Sequence, residues 1–262
     1  MGIAGEMNFL EVKGLTKNFG GLAAVSDLDF RVERAQLFGI IGPNGAGKTT
    51  IFNLISGALK PTGGQIIFRG EDVTELSPHR IAAKGIVRTF QMKNLFYDMS
   101  VMENMLTAYH LHYKAGNWSH FIGTHAAQKD ERKAKEKAIQ MLKYVGLENK
   151  KDLSAKYLPY GHQSALGIIL ALAVKPELLL LDEPATGMNE AEIQVVMDLI
   201  KKIRNMGITI IVVEHNMKVI MGLCEHIMVV NFGKKIAEGS PREISQNREV
   251  IEAYLGVEES YL

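Results

Sequence analysis

The chain has 262 residues, 47% of them hydrophobic and 23% charged, a globular composition that excludes collagen-like, mucin-like and wholly disordered chains. Its 30 basic and 29 acidic residues leave a net charge of +1, which argues against a protein that coats nucleic acid or an anionic membrane. The single cysteine, Cys224, cannot form an internal disulfide, so we expect a reducing compartment, the cytosol. Residues 1–10 do not resemble a secretory signal, and no apolar run reaches the roughly 20 residues of a membrane-spanning helix, so any membrane role is expected to be peripheral.

The first third of the sequence predicts a strand, a helix and a second strand. Residues 37–41 form a short apolar run, and residues 65–68 form another after a Pro-Thr-Gly-Gly turn signal. Between these runs, apolar residues recur at helical spacing: Ile51, Leu54, Ile55 and Ala58. A glycine-rich loop therefore lies between a strand and a helix.

The middle of the chain, from about Tyr97 to Tyr157, predicts a helical insert. Residues 129–137 form a charged run, which we interpret as the solvated face of a helix whose inner side carries Ile139, Leu142 and Val145. A charged binding tail is the alternative interpretation.

The last third of the sequence predicts strands and helices in alternation. Residues 178–181 and 209–213 are apolar runs typical of buried strands, and residues 227–230 and 235–237 predict strands on either side of a turn. An amphipathic helix is marked by apolar residues at helical spacing: Ile193, Val196, Met197 and Ile200. Apolar strands separated by helices predict an α/β fold whose parallel sheet is covered on both faces.

The glycine-rich loop predicts a phosphate-binding site. Residues 42–49 match the pattern G-x-x-x-x-G-K-[ST] at every fixed position. A loop that follows a buried strand and opens a helix turns successive backbone N–H groups toward an anion. In such a site Lys48 contacts the β- and γ-phosphates, and the Thr49 hydroxyl is a ligand of Mg²⁺. The alternative is a glycine-rich turn before a core helix, with Lys48 exposed to solvent.

The predicted nucleotide-binding residues in and after this loop are Gly42, Pro43, Asn44, Gly45, Ala46, Gly47, Lys48, Thr49 and Thr50.

A pair of acidic residues predicts the second half of the site. Asp182 and Glu183 follow an apolar strand, and ligands of open α/β sheets bind beyond the carboxyl ends of the strands. We expect Asp182 to hold Mg²⁺, directly or through its waters, and Glu183 to polarise the attacking water as a general base. An ordinary surface turn is the alternative for this pair.

Motifs in this order along nearly the whole chain resemble those of an ATP-binding-cassette ATPase. They are residues 42–49, Gln91, residues 158–163, residues 181–184 and His215. A narrower resemblance, to the ATPase subunits of branched-chain amino acid importers, rests on residues 15–21, 85–91, the Pro-Tyr-Gly of 159–161, and 185–189.

The resemblance implies a P-loop NTPase cassette with a mainly parallel core sheet, an N-terminal antiparallel β subdomain and a helical insert. A single ATPase domain is expected over residues 1–262. Its expected parts are 1–95 (nucleotide-binding core and antiparallel β part), 96–165 (helical subdomain ending in the signature), 166–240 (second half of the core) and 241–262 (C-terminal helical tail).

Further site residues are implied by the resemblance alone. Phe19 would stack on adenine, Gln91 would reach Mg²⁺ and report to the membrane subunits, and His215 would contact the γ-phosphate across from Glu183. A core anchor is the alternative for Phe19, a solvent-exposed loop residue for Gln91, and a capping or core histidine for His215. The signature that would contact the ATP of an opposite cassette is Leu158, Pro159, Tyr160, Gly161, His162 and Gln163.

The helix after the signature departs from the branched-chain group, which usually continues with Gln, two Arg, Leu, Glu, Ile, Ala and Arg. Four positions that carry charge in that group are Ser164, Ala165, Gly167 and Leu170 in this chain. The segment is apolar on nearly every side, so we expect a helix that is buried all round or one that exposes a patch for a partner. Weakened hydrolysis at the composite site is the functional hypothesis.

The sequence therefore predicts an ATP-binding and ATP-hydrolysing subunit that powers a membrane importer, for branched-chain or related amino acids. Expected cofactors are ATP and Mg²⁺, and expected partners are membrane permease subunits, a second ABC ATPase subunit in a head-to-tail dimer and, indirectly, an extracytoplasmic solute-binding protein. The expected location is the cytoplasmic side of the cell membrane, and nucleic acid is not an expected partner. The alternative is a soluble or regulatory nucleotide-binding protein with weak hydrolysis.

Overall fold

The structure is a computed structural model that describes residues 9–89, 95–109 and 125–258. The chain divides into two compact units: Met1–Arg88 with Glu177–Thr186 and Ile200–Leu262 form the first, and Thr89–Pro176 with Gly187–Leu199 form the second. The limits of the parts predicted from sequence stay predictions.

The described strands are numbered in chain order. They are β1 (Leu10–Phe19), β2 (Leu22–Val32), β3 (Leu37–Ile41), β4 (Gly63–Phe68), β5 (Glu71–Asp72), β6 (Ile86–Thr89), β7 (Leu178–Asp182), β8 (Thr209–Val213), β9 (His226–Asn231) and β10 (Lys234–Gly239).

The described α-helices are numbered in the same way. They are α1 (Lys48–Ile55), α2 (Pro78–Ala83), α3 (Val101–Tyr109), α4 (His125–Tyr144), α5 (Tyr160–Leu172), α6 (Glu190–Asn205), α7 (Met217–Leu223), α8 (Pro241–Gln246) and α9 (Arg248–Glu258).

The first unit is built on two sheets. One has four strands in the order β2-β1-β4-β5, with antiparallel pairs throughout. The other has six strands in the order β10-β9-β3-β8-β7-β6, and its central pairs β9-β3, β3-β8 and β8-β7 are parallel. All five residues of β3 and all five of β8 are buried, as their wholly apolar sequences predict. The carboxyl ends of β3, β7 and β8 consequently lie at one edge of the parallel sheet, where the sequence places its phosphate loop and acidic pair.

The helix after the phosphate loop is shorter than the sequence pattern predicts. The pattern extends the helix to Ala58, but α1 ends at Ile55, and Ala58 is exposed beyond it. Gly57 adopts a φ of 72°, a left-handed conformation that cannot continue a right-handed helix. The extension to Ala58 was therefore wrong, because a glycine turn stops the helix before the periodic pattern runs out.

The second unit is helical where it is described, as the sequence predicts for the insert. Along α4 the charged residues of 131–137 are exposed, whereas Ala134, Ala138 and Leu142 are buried. The interpretation of the charged run as a solvated helix face is confirmed, although its inner side is centred on the alanines as well as on Leu142. No described helix combines the length and the apolar composition that crossing a bilayer requires.

Candidate functional site

The lysine of the phosphate loop donates hydrogen bonds to backbone carbonyls of the same loop. Lys48 is the first residue of α1, and its Nζ donates to the backbone carbonyls of Gly42 at 2.7 Å and Pro43 at 2.8 Å. The side chain is only 8% exposed, so the alternative of a solvent-exposed lysine on a structural turn is wrong. These carbonyls hold the ammonium group inside the loop, where it is available to an anion that the loop binds.

The loop backbone depends on glycine at the start of α1. Gly47 is the N-cap residue and has a φ of 104°, which side chains with a Cβ rarely adopt. A Cβ added there would lie 2.5 Å from the backbone oxygen of Ala24. The pattern glycine at this position therefore has two reasons to be glycine, its conformation and its close contact with strand β2.

Burial and two carboxylates act in opposite directions on the lysine. Burial lowers the pKa of Lys48 below its usual range, while the negative charges of Glu183 and Asp182 raise it in part. The two acidic side chains are therefore close enough to the lysine to interact with it electrostatically. The structure brings the phosphate loop and the acidic pair together, as the sequence order of strand, loop and helix predicts.

The acidic pair is positioned by the register of the parallel sheet. Asp182, the last residue of β7, pairs with Val213, the last residue of β8, and the backbone N–H of Glu183 donates to the Val213 carbonyl at 2.9 Å. Glu183 has a φ of 47°, an unfavourable conformation for a residue with a side chain. Such strain at a residue with a candidate chemical role is typical of functional sites.

His215 lies beside Glu183. Its Nδ1 is 3.7 Å from Glu183 Oε1, and the Thr186 hydroxyl donates to Glu183 Oε2 at 3.2 Å. The His215 side chain is 54% exposed, and the N-cap of α7 is Asn216, whose side chain accepts from the backbone N–H groups of Lys218 and Val219. Both alternatives for His215, a core histidine and a helix cap, are therefore wrong.

Glu214 is a site residue that the sequence analysis did not identify. Its side chain is fully buried, and Oε1 accepts the backbone N–H of Ala185 at 2.8 Å. Oε2 accepts the N–H of His215 at 3.2 Å and that of Asn216 at 3.5 Å. One carboxylate thus joins the turn that carries Glu183 to the turn that carries His215. The only sequence signal was an acidic residue that directly follows five apolar strand residues.

The pKa of Glu214 follows from its burial. Burial raises the pKa of this carboxyl above its usual value, and the hydrogen bonds from the N–H groups of Ala185, Asn216 and His215 together with the charge of His215 oppose that shift. A raised pKa in the folded protein means that the folded state binds the proton more tightly than the unfolded state does. The contribution to stability is therefore complete below the unfolded pKa and declines as the pH rises through the folded pKa.

We expect Glu214→Ala to lower the free energy of unfolding by about 2 to 4 kcal/mol, because three backbone N–H groups lose their acceptor and a cavity forms. Urea unfolding of both proteins at several pH values measures this loss. The variant will also lack the decline in stability that the wild-type protein shows as the pH rises through the pKa of Glu214. Glu75→Ala is a matched control because Glu75 is exposed, and equal stability of Glu214→Ala and this control would contradict the assigned role.

Phe19 lies at the end of β1 with its ring open to solvent. It is 47% exposed, and Lys17 Nζ lies 5.2 Å from the ring centroid. The alternative of a core anchor is therefore wrong. An exposed ring with a cation nearby is free to receive a flat ligand, and adenine is the predicted one.

The predicted signature lies in the second unit, at the start of α5. Leu158 and Gln163 are buried, and Gln163 Nε2 donates to the Leu158 carbonyl at 2.8 Å, whereas Tyr160 is 55% exposed. The backbone N–H of Gly161 donates to Glu192 Oε1 at 3.2 Å. The N–H of Gly161 therefore already has an acceptor within the second unit.

Helix α5 contains the altered segment that follows the signature. Its buried residues are Gly161, Gln163, Ala165, Leu166, Ile168, Ile169 and Leu172, and none of residues 161–172 is exposed. The helix is therefore mostly buried but not buried all round, since Ser164 and Gly167 are partly exposed, and neither of the two expectations for this segment is confirmed. Ala165 is 1% exposed, so this position has no room for the arginine of the branched-chain group unless its surroundings change.

Two family models match this chain. The model described as "ABC transporter" matches residues 25–186, which is more than half of the chain. The chain belongs to the ABC transporter family. The model described as "Branched-chain amino acid ATP-binding cassette transporter" matches residues 234–260 of this ABC protein.

Relatives and solved structures agree with the family. The chain is 44% identical over 248 residues to the high-affinity branched-chain amino acid transport ATP-binding protein BraF of Pseudomonas aeruginosa, covering 94% of this chain and 97% of that one. It is 42% identical over 248 residues to LivG of Escherichia coli, another protein of that description, with the same coverage. The ADP conformation of an ATP-binding cassette of an ABC transporter has a TM-score of 0.84 to this chain at 29% identity, covering 95% of this chain and 99% of that one. The predicted family and fold class are confirmed.

The donor set of this ABC cassette fits a nucleotide with a hard cation. Thr49 has an exposed side chain in the first turn of α1, and Asp182 supplies a carboxylate at the edge of the same sheet. Hydroxyl and carboxylate oxygens are the ligands that Mg²⁺ takes from proteins, alongside phosphate oxygens. Gln91, the third predicted ligand, lies outside the described residues. Within the described ranges, no group of three or more His, Cys, Asp or Glu side chains is arranged to hold a metal ion by itself.

Proposed function

We propose that this ABC protein is the ATP-binding and ATP-hydrolysing subunit of a membrane importer for branched-chain or related amino acids. The observation that carries the proposal is the convergence of Lys48, Asp182, Glu183 and His215 at one edge of the parallel sheet. The substrate class is supported by BraF and LivG, two high-affinity branched-chain amino acid transport ATP-binding proteins that are similar to this chain over almost their whole length.

The side chains divide the work of ATP hydrolysis between them. The backbone of residues 42–49 and the Lys48 ammonium group bind the phosphates, and they neutralise the charge that spreads over the phosphate oxygens. Glu183 orients and deprotonates the water that attacks the γ-phosphate, and His215 donates to a γ-phosphate oxygen on the other side. The exposed ring of Phe19 stacks on adenine.

A bound Mg²⁺ neutralises charge on the β- and γ-phosphates. Thr49, Asp182 and Gln91 are the residues of this chain that we assign to holding it. The carboxylate of Asp182 does so directly or through water molecules.

Two copies of this cassette, or this cassette and a related one, would pair head to tail, with each ATP held between one phosphate loop and the opposite signature, residues 158–163. The pair would dock on membrane permease subunits at the cytoplasmic face of the membrane, where it is peripheral. An extracytoplasmic solute-binding protein would deliver the amino acid to those permeases. The exposed ring of Tyr160 in the signature supports this arrangement, because it leaves a flat side chain available to a facing surface.

Calorimetry on the purified chain tests the nucleotide site, and copurification with its permeases tests the transport role. We expect ATP to bind in the micromolar range and leucine to raise the ATPase rate of the complete complex in the presence of its solute-binding protein. An absence of adenine-nucleotide affinity with and without Mg²⁺ would overturn the site. Binding of ATP without any copurifying membrane protein would favour a soluble role instead.

A second candidate function is a regulatory subunit that binds ATP and hydrolyses it slowly. Two observations favour it: the Gly161 N–H is bonded to Glu192, and the charged positions of α5 are replaced by small or apolar residues. Turnover in the assembled complex, compared with that of BraF, separates the two candidates. A rate more than about tenfold below BraF, a barrier difference of about 1.4 kcal/mol, would favour the regulatory role.

We expect Ser164→Arg to raise turnover of the assembled complex about two- to fivefold, since it restores one charge of the branched-chain group beside the signature. Ser164 is partly exposed and tolerates a longer side chain, whereas Ala165 is buried, and an arginine there would place a cation in the core. Phosphate release by the complex measures the change. Ser164→Gln, of similar length but neutral, is the matched control, and unchanged turnover in Ser164→Arg would dismiss the hypothesis.

A further inference from the structure

The carboxylate of Asp182, which we assign to Mg²⁺ binding, forms an ion pair with an arginine. Arg88 lies in β6, and its Nη2 donates to Asp182 Oδ2 at 2.6 Å. Its Nη1 donates to Asn53 Oδ1 at 2.6 Å, and its Cζ lies 5.6 Å from the centroid of the Phe52 ring. Asn53 and Phe52 both belong to α1, the helix that the phosphate loop opens. The guanidinium group is thus held by the phosphate-binding helix on one side and by the acidic strand end on the other.

The pair is shielded from solvent. The Arg88 side chain is 7% exposed and that of Asp182 is 14% exposed. In such surroundings an ion pair is screened little, and a carboxylate that lost its cation would be left as an uncompensated buried charge. Arg88 therefore provides the counter-charge of Asp182. An oxygen that accepts a short charge-assisted bond from a guanidinium group offers less electron density to a metal ion or to the water molecules around it.

Cations and anions interact with one another at this strand edge. Lys48 and Arg88 are two cations, and Asp182 and Glu183 are two anions that interact with them. A bare Mg²⁺ would bring two positive charges to a carboxylate that already has a cation as its partner, whereas Mg²⁺ that arrives with the triphosphate brings negative charge with it. The presence of Arg88 consequently makes binding of the metal depend on the nucleotide.

We propose that Arg88 competes with a divalent ion for Asp182. Arg88 opposes binding of the ion in the absence of nucleotide, and it releases the carboxylate when nucleotide and Mg²⁺ bind together. The proposal rests on the function proposed above, because that function assigns Asp182 to Mg²⁺. It makes Arg88 a positioning residue that acts through Asp182. Under this proposal the site does not bind the metal ion without nucleotide. Because Arg88 lies in β6, the contact between β6 and Asp182 then depends on whether nucleotide is bound.

Arg88→Gln tests the competition, because it removes the charge and keeps an amide that donates to Asp182 or Asn53. Mn²⁺ serves as the probe for Mg²⁺, and its binding to the nucleotide-free protein is followed by electron paramagnetic resonance. We expect the affinity for Mn²⁺ to rise about tenfold or more in Arg88→Gln, since one positive charge within a few ångströms of the site is lost. Arg88→Lys keeps the charge, so its Mn²⁺ affinity should stay within about threefold of the wild-type value.

A second variant and a measurement of ATP binding distinguish failure of the Arg88 proposal from failure of the proposed function. Asn53→Ala removes one of the contacts that hold Arg88, so it should raise Mn²⁺ affinity in the same direction by a smaller factor, and it provides the test if Arg88→Gln does not fold. ATP binding in EDTA, measured by calorimetry on each variant, reports on the phosphate site without metal. If no variant and no wild-type protein binds ATP in EDTA or with Mg²⁺, the proposed function fails. If ATP binds but Mn²⁺ binds Arg88→Gln no more tightly than the wild-type protein, only the competition by Arg88 is overturned.

Discussion

Glu183→Gln will bind ATP with nearly wild-type affinity and will lose about 10²- to 10⁴-fold in turnover, the range expected when a general base is removed. Glutamine has the same shape as glutamate and accepts the Thr186 hydroxyl in the same way, so the turn after β7 keeps its geometry. It cannot take a proton from water. The substitution therefore lowers the rate of the chemical step and does not affect phosphate binding by Lys48. Phosphate release by the complex assembled with its permeases measures turnover, and calorimetry on the isolated chain measures ATP affinity.

The control for this prediction is Glu75→Gln, a change of the same kind at an exposed carboxylate. It should leave both turnover and ATP affinity unchanged. A Glu183→Gln complex that turns over at the wild-type rate would contradict the general-base assignment. Loss of ATP binding in that variant would show instead that Glu183 acts on the structure of the site, for example through His215, which lies 3.7 Å away.

The core of the fold could be predicted from the sequence because each central strand is apolar along its whole length. Residues 209–213 were predicted as a strand, and β8 has these bounds. Residues 37–41 were likewise predicted as a strand and coincide with β3. A strand buried on both faces leaves no polar alternation, so its limits coincide with those of the apolar run. The phosphate loop could be predicted for a related reason, since its pattern is contiguous and its chemistry depends on backbone geometry that glycine alone permits at Gly47.

The residues that hold the site together could not be predicted in this way. Arg88 and Asp182 are 94 residues apart, and Ala185 and Glu214 are 29 residues apart. Neither pair leaves a periodic or local pattern in the sequence. Their contacts exist because β6, β7 and β8 are neighbouring strands of one sheet, although long stretches of chain separate them. The sequence predicts groups that contact ATP, whereas the groups that position them are found only from the arrangement of the strands.

Lys48→Ala will weaken ATP binding about 10²- to 10⁴-fold, because it removes a cation that makes about two charge-assisted contacts with the phosphates, each contributing roughly 1.5 to 3 kcal/mol. Calorimetry with ATP in the presence of Mg²⁺ measures the loss. Lys60→Ala is the matched control, since Lys60 is exposed and lies outside the loop. ATP affinity within about threefold of the wild-type value in Lys48→Ala, less than 1 kcal/mol, would contradict the phosphate site.

The stability of Lys48→Ala separates a role in binding from a role in folding. In the wild-type protein, burial lowers the pKa of Lys48, so the folded state carries a desolvation cost that the carboxylates of Glu183 and Asp182 offset in part. The substitution removes the cost together with the two hydrogen bonds to the Gly42 and Pro43 carbonyls. Because these changes oppose each other, we expect the free energy of unfolding to change by less than about 1.5 kcal/mol in urea. A variant that is as stable as the wild-type protein but no longer binds ATP would show that Lys48 contributes to nucleotide binding and not to folding.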